Sequence, residues 1–119
     1  LLDTAVLTPA EQVRALATTD LLVAQHGAGL SNMVWMPSGG AVLEIKPPLI
    51  PTINEIFSNL ASCRALDYLA VDQADEHAAI DVAAVASAAH RLLEEPGRNI
   101  PTMTGSRPMR MTRQLPRRW

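Results

Sequence analysis

His26, Gly27, Ala28 and Gly29 follow a mostly apolar run, Leu21 to Gln25, and lead into residues at helical spacing, Leu30, Met33 and Val34. A tight glycine loop between a strand and a helix leaves backbone N–H groups unpaired at the positive end of the helix dipole, where an anion is favoured. Gly27 and Gly29 would let the backbone approach a bulky anion and allow dihedrals that a side chain forbids. Each backbone bond to a charged oxygen contributes roughly 1.5–3 kcal/mol and the dipole roughly 0.3–1 kcal/mol, so two or three amides suffice for a diphosphate. His26 could donate a further bond or balance developing charge. Glu44 is a carboxylate inside a second apolar run, Ala41 to Ile45, and a paired acceptor of that kind suits a ribose diol. Each feature also has a plainer alternative: two glycines of an ordinary turn, a structural histidine at a strand end, a glutamate exposed on an edge strand.

Other reactive residues offer less. His77 and His90 have no ligand spacing to His26, so no metal site is expected. Cys63 is the single cysteine, which excludes an internal disulfide and predicts a small buried apolar side chain. Asp72, Asp75 and Glu76 read as a solvated acidic loop.

The elements that position the loop follow from periodicity. Thr8 and Glu11 have capping-box spacing with Pro9 between them, and Ala10, Val13, Leu16 and Ala17 recur on one face, predicting a helix that ends by Asp20. The Leu21–Gln25 run scarcely alternates, as expected of a parallel strand covered on both faces. The helix after Gly29 presents Leu30, Met33 and Val34 to the sheet and stops at Pro37, and Gly39-Gly40 turns the chain into the second strand. Thr52 and Glu55 form a second capping box before Ile53, Ile56, Phe57, Leu60 and Ala61. Tyr68 to Val71 is a third strand. Asp81 caps a last helix whose stripe is Val82, Val85, Ala86, Ala89 and Leu92, ending before Pro96-Gly97. Alternating helices and strands predict an α/β fold, a parallel sheet with helices on both faces. Ligands of such sheets bind beyond the carboxyl ends of the strands, which brings the His26–Gly29 loop and Glu44 to one crevice.

With 119 residues, 48% of them hydrophobic and 3% aromatic, the chain suits one globular domain with a real core. It begins at Leu1 and enters a helix signal almost at once, which reads as a piece of a longer protein. No apolar run reaches the roughly 20 residues of a bilayer span and no signal peptide is evident. All 12 acidic residues lie at or before Glu95, while Arg98, Arg107, Arg110, Arg113, Arg117 and Arg118 follow it. Residues 1–96 are therefore expected to form the folded domain and residues 97–119 a basic tail, disordered, with Pro101, Pro108 and Pro116 and no regular period. A basic tail could touch nucleic acid or an anionic membrane. No aromatics are interleaved with the arginines, so a solvated terminus is the expectation and no nucleic-acid partner.

The combination of Glu11-Gln12-Val13, Thr19-Asp20, His26-Gly27-Ala28-Gly29-Leu30-Ser31-Asn32-Met33, Pro37 with Gly39, and Val42-Leu43-Glu44-Ile45 resembles the C-terminal part of glycosyltransferase family 61. Asp67-Tyr68 is also placed as in that family, and the likeness runs from Thr8 to Val71, loosely to Leu93. It implies the Rossmann-like C-terminal half of a GT-B enzyme, which holds a nucleoside-diphosphate sugar, with UDP as the expected nucleotide. The donor-binding residues it implies are His26, Gly27, Ala28, Gly29, Leu30, Asn32 and Glu44. Gly27, Ala28 and Gly29 would cradle the diphosphate, with His26 beside it and Glu44 near the nucleoside. The implied reaction is inverting transfer to a hydroxyl of a glycan or glycoprotein, without a metal or other cofactor, helix dipoles and basic groups stabilising the leaving diphosphate. The catalytic base has no candidate in this sequence. Lys46-Pro47-Pro48 departs from the family pattern where the sugar pocket is shaped. The resemblance further implies the Golgi or endoplasmic reticulum lumen for a eukaryotic protein, with any membrane anchor upstream, and the cytoplasm for a bacterial one.

Two other classes fit parts of the pattern. An α/β-hydrolase uses an early His-Gly loop as an oxyanion hole, but it needs a Gly-x-Ser-x-Gly elbow, and Gly29-Leu30-Ser31-Asn32 leads into Met33 instead. A non-catalytic nucleotide- or phosphate-binding module needs only the loop. Hydrolysis of a generic ester marks the first, and donor binding without transfer marks the second.

Overall fold

The computed structural model describes residues 3–47, 55–75 and 77–97. Their order is α1 (Pro9–Ala17), β1 (Leu21–Gln25), a short 3₁₀ helix (Ala28–Trp35), β2 (Ala41–Lys46), α2 (Ile56–Cys63), β3 (Asp67–Asp72) and α3 (Val82–Glu94). The strands form a parallel sheet in the order β1-β2-β3, with Leu21 opposite Ala41 and Ala41 opposite Asp67. The α/β reading with helices on both faces therefore stands. The Thr52–Glu55 capping box, Ile53, and the tail from residue 98 onward lie outside the described residues.

Alternation along the strands divides the sheet into two faces. Leu22, Ala24, Val42 and Tyr68 pack on one side with Leu16, Leu30, Met33, Met36, Phe57, Ala61 and Leu66, drawn from α1, the short helix, α2 and their connections. Leu21, Ala41, Leu43, Leu69 and Val71 pack on the other with Val85, Ala88, Ala89 and Leu92 of α3. The middle strand is covered twice, and Ala41 to Ile45 are all buried. β1 lies at an edge of this sheet, and Val23 is 41% exposed. The expectation that β1 is covered on both faces is corrected: α3 reaches β2 and β3 and leaves Val23 bare.

Local signals set most boundaries. The Thr8–Glu11 capping box forms: Glu11 N–H donates to Thr8 Oγ1, and the Thr8 hydroxyl and N–H donate to Glu11 Oε2 at 2.7 and 2.8 Å. Those two bonds, the hydroxyl's first, hold the Glu11 carboxyl below the usual range. Asp81 Oδ1 accepts from Ala84 N–H and starts α3. Gly39 adopts φ 88°, and a Cβ on Gly40 would lie 3.2 Å from the carbonyl oxygens of Asp20 and Pro37, so the turn into β2 needs both glycines.

Several expected faces are corrected. Ala10 and Ala17 of α1 are exposed, and Leu16 with Ala15 makes the core contact. In α3, Val82 and Ala86 are exposed, and Ala88 joins Val85, Ala89 and Leu92 against the sheet. Alanine adds so little apolar surface that its placement within a stripe is a weak signal of orientation. Ile56 is exposed at the start of α2. Cys63, expected to be buried, is exposed at the end of that helix.

Candidate functional site

The short helix does not take α-helical form. Gly, Ser and Asn are poor helix formers and Pro37 limits its length, so eight residues follow the tighter 3₁₀ path. Leu30 and Met33 are fully buried and anchor it against the core. Leu30 N–H donates to Gly27 carbonyl O at 3.0 Å, so the amides of Ala28 and Gly29 precede the first bond of the helix. Both residues are exposed. Gly27 is extended, with φ 160° and ψ 175°, and Gly29 is not in the left-handed region. The glycines are thus not required by forbidden dihedrals, as the sequence had suggested. A Cβ on either would meet no atom within 4 Å, so what they contribute is open space above the amides.

Parallel pairing brings the carboxyl ends of the strands together beside this loop. His26 N–H extends the ladder to Ile45 carbonyl O at 2.8 Å, and Gln73 N–H does the same to Lys46 carbonyl O at 2.6 Å. Gln25, His26, Pro47 and Gln73 line a pocket of about 150 Å³ at that edge. Gln73 is 7% exposed; it accepts from Gln25 Nε2 at 3.3 Å and donates to Ala78 carbonyl O. The pocket is smaller than sites that enclose whole drug-sized ligands, roughly 300–1,000 Å³.

Glu44 is the buried centre of the site. Its side chain is 1% exposed, and its Oε1 lies 2.5 Å from His26 Nδ1, while Oε2 accepts the Tyr68 hydroxyl. Register explains the grouping, because Val42, Glu44 and Lys46 alternate onto one face and Tyr68 stands opposite Val42 on that face. Phe57 of α2 meets the His26 ring edge-on with centroids 5.2 Å apart. Lys46 Nζ lies 5.9 Å from the centroid of the Tyr68 ring. Burial, and then the bond and charge of Glu44, push the Tyr68 hydroxyl far above its ordinary value, which keeps it a protonated donor. The alternative of an exposed Glu44 on an edge strand is overturned, since β2 is central.

The sequence-derived site residues therefore separate. His26, Gly27, Ala28 and Gly29 share one rim. Glu44 lies beneath it, with both oxygens engaged by protein groups. Leu30 is in the core, and Asn32 Nδ2 donates to Gln12 Oε1 at 3.1 Å, tying the short helix to α1. Tyr68 and Gln73 were missed as site residues. Asp67-Tyr68 stood out only as part of the family likeness, the β2–β3 register is what brings Tyr68 to Glu44, and no sequence pattern marks Gln73. Among the described residues no group of three or more His, Cys, Asp or Glu could hold a metal ion, and no helix is long and apolar enough to cross a membrane.

The family model of glycosyltransferase 61 matches residues 2–43, about a third of the chain. The resemblance carried by His26 to Met33 is borne out over that stretch, and Glu44 lies one residue beyond the match. No curated protein and no solved structure matches the chain.

Proposed function

We propose that this chain is the donor-binding part of a family 61 glycosyltransferase, its match over residues 2–43 pointing to glycosyl transfer as the parent activity. The observation that carries the reading is the rim formed by His26 and the exposed Ala28 and Gly29, at the carboxyl edge of a parallel sheet. The diphosphate of a nucleotide sugar, with UDP as nucleotide, lies over the Ala28 and Gly29 amides in the space left by Gly27 and Gly29. One end of the donor enters the pocket beside Gln25 and Gln73. Gly27 and Ala28 act through their backbone and His26 through its ring. Leu30, Asn32 and Glu44 support that arrangement from below, by core packing, by the tie to Gln12 and by the bond to His26. In this reading the α/β unit belongs to a Rossmann-like, GT-B type donor domain, which the parallel three-stranded sheet supports. The reaction is inverting transfer to a glycan or glycoprotein hydroxyl, in the secretory lumen of a eukaryote or the cytoplasm of a bacterium. Acceptor and base come from elsewhere in the parent, so the 119-residue chain binds donor without turning it over.

An amide NMR titration with UDP tests this, following Gly27, Ala28 and Gly29 beside a Gly29→Val variant. A Cβ at Gly29 meets open space, so the variant keeps its fold. Saturable shifts at the loop, reduced at least tenfold in affinity by Gly29→Val, are expected; equal affinity in the two proteins removes the loop from the site.

A further inference from the structure

His26 has two ring nitrogens, and only one is engaged among the described residues. Nδ1 lies 2.5 Å from Glu44 Oε1, and Nε2 has no hydrogen-bond partner among the described residues. The Glu44 carboxylate accepts on both oxygens, since the Tyr68 hydroxyl donates to Oε2. An acceptor at Nδ1 places the proton there, so the neutral ring presents a bare lone pair at Nε2. A lone pair repels a phosphate oxygen. The protonated ring presents N–H instead, and the buried carboxylate behind it compensates the positive charge.

We infer that Glu44 is a positioning residue that holds His26 as a Nδ1–H imidazole in the free protein and as an imidazolium when a diphosphate binds, so that donor binding takes up one proton at Nε2. The inference rests on the donor-site reading and assigns the charge chemistry of that site. It gives the loop the cation that neutral amides lack. Among the described residues, the charged and titratable groups in the contacts around the ring are Glu44 and Lys46 from β2, the latter across the Tyr68 ring, and Tyr68 from β3. Phe57 from α2 and Gln25, Pro47 and Gln73 at the rim are uncharged. Glu44 is the carboxylate in direct contact with His26. The carboxylate is 1% exposed, so in this reading it acts through His26 and not by touching the ribose.

The test uses UDP-glucose with the whole chain, because a diphosphate esterified at both ends lacks the terminal phosphate proton that titrates near pH 6. Imidazole ¹⁵N shifts in the free protein are expected to show the Nδ1–H tautomer at His26; the Nε2–H tautomer overturns the role of Glu44. Calorimetry in buffers of different ionisation heat is expected to show uptake of close to one proton per nucleotide above the histidine titration. Affinity there falls about tenfold per pH unit, because only the protonated fraction binds. His26→Gln abolishes the slope, His90→Gln, at an exposed position of α3, keeps it, and Glu44→Gln moves the fall to lower pH, since its amide still accepts from Nδ1 but carries no charge. Saturable binding of equal strength from pH 5 to 8 sinks the proton link and leaves the donor site standing. No saturable binding at any pH removes the donor site and the link with it, while the tautomer measurement still decides whether Glu44 orients His26. The wild-type slope and proton count do not depend on any variant folding.

Discussion

The two faces of the sheet are built for different ends. Against α3 the contacts are apolar, Leu21, Ala41, Leu43, Leu69 and Val71 meeting Val85, Ala88, Ala89 and Leu92. On the opposite face the apolar packing of Leu22, Ala24 and Val42 gives way, toward the carboxyl ends of β1 and β2, to His26 and Glu44, with the Tyr68 hydroxyl reaching Glu44 from the start of β3. Burial of apolar surface stabilises at roughly 25 cal/mol per Å². A buried carboxylate bound by a histidine and a tyrosine offsets much of its own desolvation and gains little beyond that. Apolar burial on both faces accounts for stability, the larger cluster lying opposite α3, and the polar end of that opposite face accounts for orientation.

Adjacent residues of β2 separate these roles most sharply. Leu43 is fully buried and points to α3, and Glu44, 1% exposed, points to the other side. Leu43→Ala is expected to destabilise the chain by about 2–5 kcal/mol through lost burial and the cavity left behind. Denaturant unfolding reads this directly, and a loss below 1 kcal/mol would mean that α3 does not depend on the sheet as described.

Glu44→Leu tests the polar side and should cost less, about 1–3 kcal/mol, because it leaves the Tyr68 hydroxyl and His26 Nδ1 without their acceptor. Adding Tyr68→Phe removes one stranded donor and should recover most of the loss, since an apolar replacement of a buried polar group is often close to neutral. The recovered double variant should still bind UDP more weakly than wild type. Full recovery of both stability and binding would show that Glu44 has no part in the site.

Sequence placed α3 and its cap but misread part of its apolar stripe, Val82 and Ala86 being exposed and Ala88 buried, and it made the polar side legible only in part. The strand at Leu21–Gln25 and the caps at Thr8 and Asp81 can be read from local chemistry, because a cap or an apolar run states its own need. β2 extends one residue past the expected Ile45, and β3 one residue beyond each end of Tyr68–Val71. The union of His26, Glu44 and Tyr68 spans three strands and rests on strand order and register, which no local pattern encodes. Glu44 was conspicuous as a carboxylate in an apolar strand, but its burial depends on β2 being central. The 3₁₀ path of Ala28–Trp35 was hidden for another reason: at eight residues a period of 3.0 and one of 3.6 place Leu30 and Met33 on the same side.

The smallest effect belongs to Val23, which pairs in register with Leu43 and stands on the same face. Side-chain type predicts similar importance for the two; coverage does not. α3 buries Leu43 completely and leaves Val23 41% exposed, so Val23→Thr, which keeps the β-branched shape, should change stability by less than about 0.5 kcal/mol. The same denaturant series on both variants gives the ratio of the two effects. A Val23→Thr loss approaching that of Leu43→Ala would require a contact on this face of β1 that α3 does not supply, and the face would then be uniform in its coverage. A small loss leaves the division where the geometry puts it, with α3 stabilising β2 and β3 and the His26 rim at the end of β1 standing clear of that helix.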